Sequence, residues 1–410
     1  MVKTGLTLLT GNVATSLMLL LRNLGVAALI PVADYGIAAT FAIVTSLIEM
    51  ASHLGLQQQI VQSDKGADPR FQAGAQGFHA LRGVVAAAVL FALAAPLARF
   101  LGVGHVAWAY QVLAIVPLAQ AFQHFDMHRL NRDMVFGPMI LSSAVPAFLS
   151  LLAIWPLAQW LGDYSVMLWS IVLHAVLMMV MSHVVARRPY RVLLDLAFMR
   201  SSLSFGWPLL VNGALLYLVF QGDKIIVGRL LGMEALAIFA MGVTLTLTPT
   251  LVLAKSAQNF FLPQLKNDDP IVARATLEAA ILIGIALVVF FALCGVPLLR
   301  LILGAKYQAL EPLLIWMAVL QGIRVCKVGP AIVTLARGKT AHAMWANVPR
   351  VAVLPFVWWA AQAGVGLTGI IFIGICAEIA GLIVAWRLLG PSGISPYFAH
   401  IRRYMSRKED

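Results

Sequence analysis

The chain has 410 residues, of which 61% are apolar and 11% charged, with a mean hydropathy of +0.89. Soluble domains carry about 25% charged residues, so a water-soluble core with a polar shell is excluded. The formal charge of +12 is scattered through short segments and forms no basic domain, so no nucleic-acid groove is expected.

In chain order, twelve apolar runs are each long enough to cross a hydrocarbon layer of ~30 Å. They lie near 5–30, 36–58, 78–98, 106–125, 138–158, 164–185, 203–222, 233–256, 273–294, 310–334, 342–361 and 365–389. Runs of this length exceed the ~9–11 residues of a membrane β-strand, and only helices then satisfy the backbone in lipid. The predicted fold is an all-α integral membrane protein of about twelve helices. The start Met1-Val2-Lys3 leads directly into the first run, which reads as a span and not as a cleaved signal. Cys294, Cys326 and Cys376 lie in apolar runs at unrelated spacings and imply neither disulfide nor metal.

Lysine and arginine set the orientation. With the N-terminus inside, inner segments hold 20 basic residues and outer segments 6, and three lie within spans. Both termini are therefore expected in the cytoplasm. The basic tail within 391–410 reads as an anchor on anionic headgroups.

The chain also repeats. Leu29-Ile30-Pro31-Val32-Ala33-Asp34-Tyr35-Gly36 and Leu230-Leu231-Gly232-Met233-Glu234-Ala235-Leu236-Ala237 close equivalent hairpins 201 residues apart, which places Arg22 opposite Asp223. The expected domains are an N-terminal six-helix lobe (1–200), a C-terminal six-helix lobe (201–390) and the tail (391–410). Two halves of equal orientation predict pseudo-symmetric bundles around a central cavity.

An ionisable side chain at membrane depth costs at least ~2.5–3.5 kcal/mol, so it faces a partner, a cavity or a pathway. On the first span Asn12, Thr15, Ser16, Arg22 and Asn23 fall within an arc of about 120°. Thr244, Thr248 and Lys255 share a face of the eighth span beside Pro249, and Gln321, Arg324 and Lys327 follow one another at i, i+3 on the tenth. Arg22, Asn12, Lys255, Arg324, Lys327 and Thr248 are thus the candidate substrate-binding residues. The alternative for the hydroxyls is helix packing through hydrogen bonds, and for Arg22 snorkelling toward the outer surface. Glu49, His53 and Asp223 are candidates for gating or coupling. Glu49 with His53 has two readings, a protonatable pair or a hydrogen-bonded structural carboxyl. Asp223 with Lys224 is expected as an interfacial ion pair, Arg350 with Glu378 as a buried salt bridge, and Arg82 and Glu278 at the interface.

No phosphate-binding loop, nucleophile elbow or metal-binding helix occurs, and no loop exceeds roughly 20 residues. No enzyme and no cofactor is expected. Without an ATP site, transport draws on an ion gradient, a membrane potential or the substrate gradient.

Leu-Leu-Arg-Asn-Leu (20–24) with Ile-Pro-Val-Ala-Asp-Tyr-Gly-Ile-Ala (30–38) resembles the first hairpin of bacterial polysaccharide transporters of the O-antigen flippase type. Phe-Gly-Trp-Pro-Leu-Leu (205–210) with Gly-Asp-Lys-Ile-Ile-Val-Gly-Arg-Leu-Leu-Gly (222–232) resembles the start of their second half, and Leu-Ala-Arg-Gly-Lys-Thr (335–340) their loop after the tenth span. That family sits in a superfamily with multidrug antiporters and lipid II flippases. The resemblance implies a flippase of the bacterial inner membrane moving an undecaprenyl-diphosphate-linked oligosaccharide by alternating access. Arg22 and Lys255 would serve as anion-binding residues there. Implied partners are that lipid-linked oligosaccharide, membrane lipids, a coupling proton or sodium ion, and a polysaccharide polymerase and glycosyltransferases. An ion-coupled multidrug antiporter of the same fold would need an acidic cavity, and a membrane-embedded polysaccharide-processing enzyme would need a large outer loop.

Overall fold

The computed structural model describes residues 2–51, 54–265, 269–339 and 341–389. Ten long helices carry the fold: α1 (Val2–Leu29), α2 (Val32–Ala51), α3 (Pro69–Phe100), α4 (Gly137–Trp160), α5 (Ser165–Val184), α6 (Leu196–Leu230), α7 (Met233–Phe261), α8 (Pro270–Phe290), α9 (Glu311–Ala336) and α10 (Leu367–Leu389). No strand occurs among the described residues.

Ten of the twelve apolar runs thus become long helices. The fourth and eleventh differ. The fourth is broken into Ala107–Leu113 and Ile115–Ala121, and bends by 48° before the polar helix Asp126–Arg132. The eleventh is split into Ala341–Trp345, Val348–Ala352 and Leu354–Gln362. Pro117, Pro349 and Pro355 lie at or inside these pieces, and each removes a backbone donor. Nine stretches of the described residues meet the length and apolarity needed to cross a bilayer, one of them, Pro270–Ala336, containing both α8 and α9. Large apolar side chains such as Phe91, Leu152, Trp160 and Leu301 are exposed on these helices, as expected where lipid is the solvent. The chain is a multi-pass membrane protein.

The repeat is written into the helix ends. Leu29 and Leu230 end their helices, Val32 and Met233 begin the next, and Pro69 and Pro270 begin α3 and α8 at the same 201-residue displacement. Both proline starts use the preceding aspartate as cap: Asp68 Oδ1 accepts from Arg70 N at 2.9 Å and Asp269 Oδ1 from Ile271 N at 2.8 Å. A first-position proline sacrifices an N–H that has no helical partner anyway, and the carboxylate satisfies another.

The chain divides into two compact units. The first comprises the chain up to Tyr217 with Gly232–Ala237, the second Leu218–Leu231 with the chain from Ile238 onward. The division falls inside α6 and not at its start. In the first unit α1 packs on α4, α4 on α5, and α3 on the broken fourth run. Its core gathers Phe41, Val44, Leu90, Tyr110, Leu113, Leu168 and Val172, and buried Tyr110 is joined to Thr40 by a 2.5 Å hydroxyl–hydroxyl hydrogen bond. In the second unit α9 packs between α8 and α10. Small residues set that spacing: a Cβ on Gly284 of α8 would stand 2.7 Å from the Gly322 carbonyl oxygen of α9. Close backbone approach through small residues is how membrane helices gain packing where lipid supplies no hydrophobic drive.

Candidate functional site

The second unit holds a buried ion network. Glu378 of α10 is fully buried, and its Oε1 accepts from Arg324 Nε at 3.0 Å and Nη2 at 2.6 Å. Lys327, one turn along α9, pairs with Glu378 Oε2 at 2.5 Å and donates to Asn347 Oδ1 at 3.2 Å. Arg350 reaches Glu378 only at 3.8 Å and instead donates Nη2 to Asp223 of α6. Three basic side chains therefore meet two acidic ones. Among the described residues, Arg350 Nε and Nη1 and Asp223 Oδ1 are buried without a hydrogen-bond partner. Arg350, Asp223, Arg324, Gln321 and Phe220 line a cleft with roughly 410 Å³ of unfilled space, and the Arg324 guanidinium lies 5.3 Å from the Phe220 ring centre. An orphaned guanidinium donor at a cleft is suited to an anionic oxygen, which accepts charge-assisted hydrogen bonds.

In the first unit Arg22 of α1 is buried, with 9% of its surface exposed. Its Nε and Nη1 have no hydrogen-bond partner among the described residues, and His174 and Tyr35 are near enough to interact electrostatically with it. Arg22 does not snorkel; it is a cation held inside the protein.

A second polar site in the first unit was not anticipated. Gly83 lets α3 approach the broken run, since a Cβ there would stand 2.4 Å from that of Ala121. One turn before it, His79 Nε2 donates to the Gln120 carbonyl at 2.9 Å, so Nδ1 is unprotonated and accepts from Arg82 Nη2 at 2.8 Å. Gln120 Nε2 in turn donates to Glu49 Oε1 at 3.0 Å. With Gln57 and Gln123 these groups line a pocket with about 800 Å³ of unfilled space. The signal available in the sequence was two i, i+3 polar pairs, His79 with Arg82 and Gln120 with Gln123, inside apolar runs.

The remaining candidates fall as follows. Asn12 is exposed on α1 and Lys255 exposed on α7. Thr248 turns its hydroxyl back to the Thr244 carbonyl at 2.8 Å, the packing alternative for a helical threonine. Arg324 and Lys327, expected as free cavity cations, are both held by Glu378. Asp223 is buried against Arg350 and not paired at the interface, and Lys224 donates to Gln221 at 3.1 Å. Glu278, expected at the interface, is fully buried, and Arg82 is half-buried against His79. Glu49 meets Gln120, and His53 lies outside the described residues, as does the tail 391–410.

The comparisons fit this architecture. An inward-facing multidrug resistance MATE family transporter of the MOP superfamily superposes with a TM-score of 0.71 at 15% identity, covering 92% of this chain and 94% of that one. The lipid II flippase MurJ in an inward closed conformation gives a TM-score of 0.73 at 13% identity, covering 94% and 87%. A eukaryotic MATE transporter, AtDTX14, gives 0.57 at 16% identity, covering 98% and 96%. These likenesses establish the all-α transporter fold. No curated protein sequence matches the chain. Residues 26–312, well over half the chain, match the family described as polysaccharide biosynthesis protein, and the chain belongs to that family.

Proposed function

We propose that the chain is a flippase that moves an undecaprenyl-diphosphate-linked oligosaccharide across the bacterial cytoplasmic membrane by alternating access, for surface polysaccharide biosynthesis. Family membership supports polysaccharide biosynthesis as the setting, and the fold supports transport in place of bond chemistry. The excess of basic residues in the inner segments supports both termini in the cytoplasm.

One observation carries the substrate class. Guanidinium donors of Arg22 and Arg350 are buried without acceptors among the described residues. A buried N–H donor without an acceptor is costly, and an anionic ligand supplies the missing oxygens. A lipid diphosphate offers several anionic oxygens and a tail that remains in the bilayer. A multidrug antiporter for organic cations is disfavoured by the same observation, because Arg22 and Arg350 would repel a cation.

The test uses the full chain in liposomes containing an undecaprenyl-diphosphate oligosaccharide with a fluorophore on its sugar, read by quenching from one side. Wild type should raise the crossing rate well above empty liposomes, and Arg22→Ala should lower it at least tenfold. Crossing no faster than in empty liposomes, alongside counter-transport of an organic cation, would overturn the reading.

A further inference from the structure

We infer that the pocket of Glu49, Gln57, His79, Arg82, Gln120 and Gln123 in the first unit is a sugar-binding subsite, separate from the anion-binding cations and specific for neutral, polyhydroxylated ligands. The inference rests on the flippase reading for its biological ligand, the glycan of the transported lipid, but its chemistry stands on the pocket alone.

The pocket presents both halves of the hydrogen-bonding code that a sugar hydroxyl needs. A hydroxyl is donor and acceptor at once, so it is best met by amides and carboxylates side by side. Neither Gln57 nor Gln123 commits its side-chain amide to another described residue, although Gln123 is only 7% exposed. Glu49 uses Oε1 for Gln120 and leaves Oε2 without a hydrogen bond among the described residues. Arg82 Nε is buried and unpartnered while its Nη2 is fixed on His79. Two amides, a carboxylate oxygen and a guanidinium edge, each without a hydrogen bond among the described residues, thus converge on one pocket.

The balance of charge selects the class. Glu49 repels phosphate and Arg82 repels a metal or ammonium ion, so neither a bare anion nor a bare cation is favoured. No group of three metal-ligating acids, histidines or cysteines occurs among the described residues. The positioning is rigid: His79 is locked between the Gln120 carbonyl and Arg82 and lies with its ring centre 4.7 Å from that of Phe125. At the repeat displacement of 201, Gln120 and Gln123 correspond to Gln321 and Arg324 in the second unit. The equivalent helix position is thus an amide in the first unit and Arg324 in the second.

The experiment titrates the full chain in lipid nanodiscs with glucose, galactose, rhamnose and N-acetylglucosamine, and separately with inorganic pyrophosphate, read by saturation-transfer NMR. At least one sugar should bind saturably, and Gln57→Ala with Gln123→Ala should weaken it at least tenfold. Neither substitution removes a side-chain hydrogen bond to a described residue, and circular dichroism with thermal unfolding verifies the fold. In liposomes, the ratio of crossing rates for glycan-bearing and sugar-free undecaprenyl diphosphate should fall at least tenfold in the double variant. Absence of sugar binding, binding that survives both substitutions, or an unchanged ratio overturns the subsite. Displacement of sugar by sodium in wild type but not in Glu49→Gln reassigns the pocket to a coupling ion and also overturns it. A wild type that moves neither lipid sinks the flippase reading, and the sugar titration then decides the subsite by itself.

Discussion

Arg324 of α9 and Glu378 of α10 are joined by two hydrogen bonds onto one carboxylate oxygen, 3.0 Å from Nε and 2.6 Å from Nη2. Lys327 takes the other oxygen at 2.5 Å. Among the described residues Glu378 is the carboxylate that pairs with either cation, so its loss leaves both uncompensated in a buried site. Glu378→Gln should therefore destabilise the second unit by about 3–5 kcal/mol, and Glu378→Asp by less. Thermal unfolding in detergent measures this; an unchanged midpoint for Glu378→Gln would show that the network contributes nothing to stability.

Arg22 and Lys255 should separate. Arg22 is buried with orphaned donors, whereas Lys255 is exposed and makes no hydrogen bond to a described residue. Arg22→Ala should reduce transport of the lipid-linked sugar at least tenfold, and Arg22→Lys should not restore it, since an ammonium lacks the planar fork. Lys255→Ala should leave the unfolding midpoint unchanged and lower transport chiefly at low salt, as expected of a screened, exposed charge. Rates at two ionic strengths distinguish the two positions.

His124, in the connection between the helix that ends at Ala121 and the polar helix Asp126–Arg132, supplies a pH dependence. His124 is buried between the end of the fourth run and the 182–190 segment: its N–H donates to Ser182 Oγ at 2.9 Å, its Nε2 donates to the Arg188 carbonyl at 2.9 Å, and its Nδ1 accepts from Asp126 N at 3.0 Å. Burial pushes its pKa down, His183 adds to this, and the Arg188 carbonyl and Asp126 oppose it. The folded protein thus binds this proton less readily than the unfolded chain, whose histidine titrates near ~6.5. The stabilisation is complete above that value and is lost as pH falls below it. The unfolding midpoint should fall between about pH 7.5 and pH 5, and His124→Asn should flatten part of that slope. Parallel curves for the two proteins would remove His124 from the account.

Gly284 tests the helix spacing. A Cβ there would lie 2.7 Å from the Gly322 oxygen and 2.9 Å from Cys326 Sγ, and the backbone oxygen cannot swing aside. Gly284→Ala gains about 1 kcal/mol of helix propensity but loses more to overpacking, typically ~1–3 kcal/mol. The net effect should be destabilising, and Gly284→Leu more severely so. Unfolding midpoints of the pair check the order, and a stabilised Gly284→Ala would contradict the spacing.

Ten long helices were legible because a bilayer imposes its thickness on sequence, and the hairpin repeat was legible because turns and caps are local. The two broken runs were not. Their hydropathy is that of a continuous span, and proline by itself does not mark the break, since α3, α4, α7 and α9 each carry one without parting. Within the site, the sequence marked which charges are anomalous but not what they touch. The expected pair of Arg350 with Glu378 forms at 3.8 Å, but Asp223, 127 residues away, holds Arg350 more closely. Arg82 was assigned to the interface because it stands near a helix end. Its contact with His79 depends on how deeply α3 sinks against the broken run.

Composition and hydropathy therefore determined the solvent and the helical class, since both follow from summed transfer energies along a single chain. Tertiary structure decided which cations are spent on carboxylates and which remain unsatisfied. Arg324 and Lys327 share one glutamate more than fifty residues away, while Arg22 and the far edge of Arg350 keep donors without acceptors among the described residues. Pairing of charges depends on distances between helices, and no periodicity within one helix encodes those.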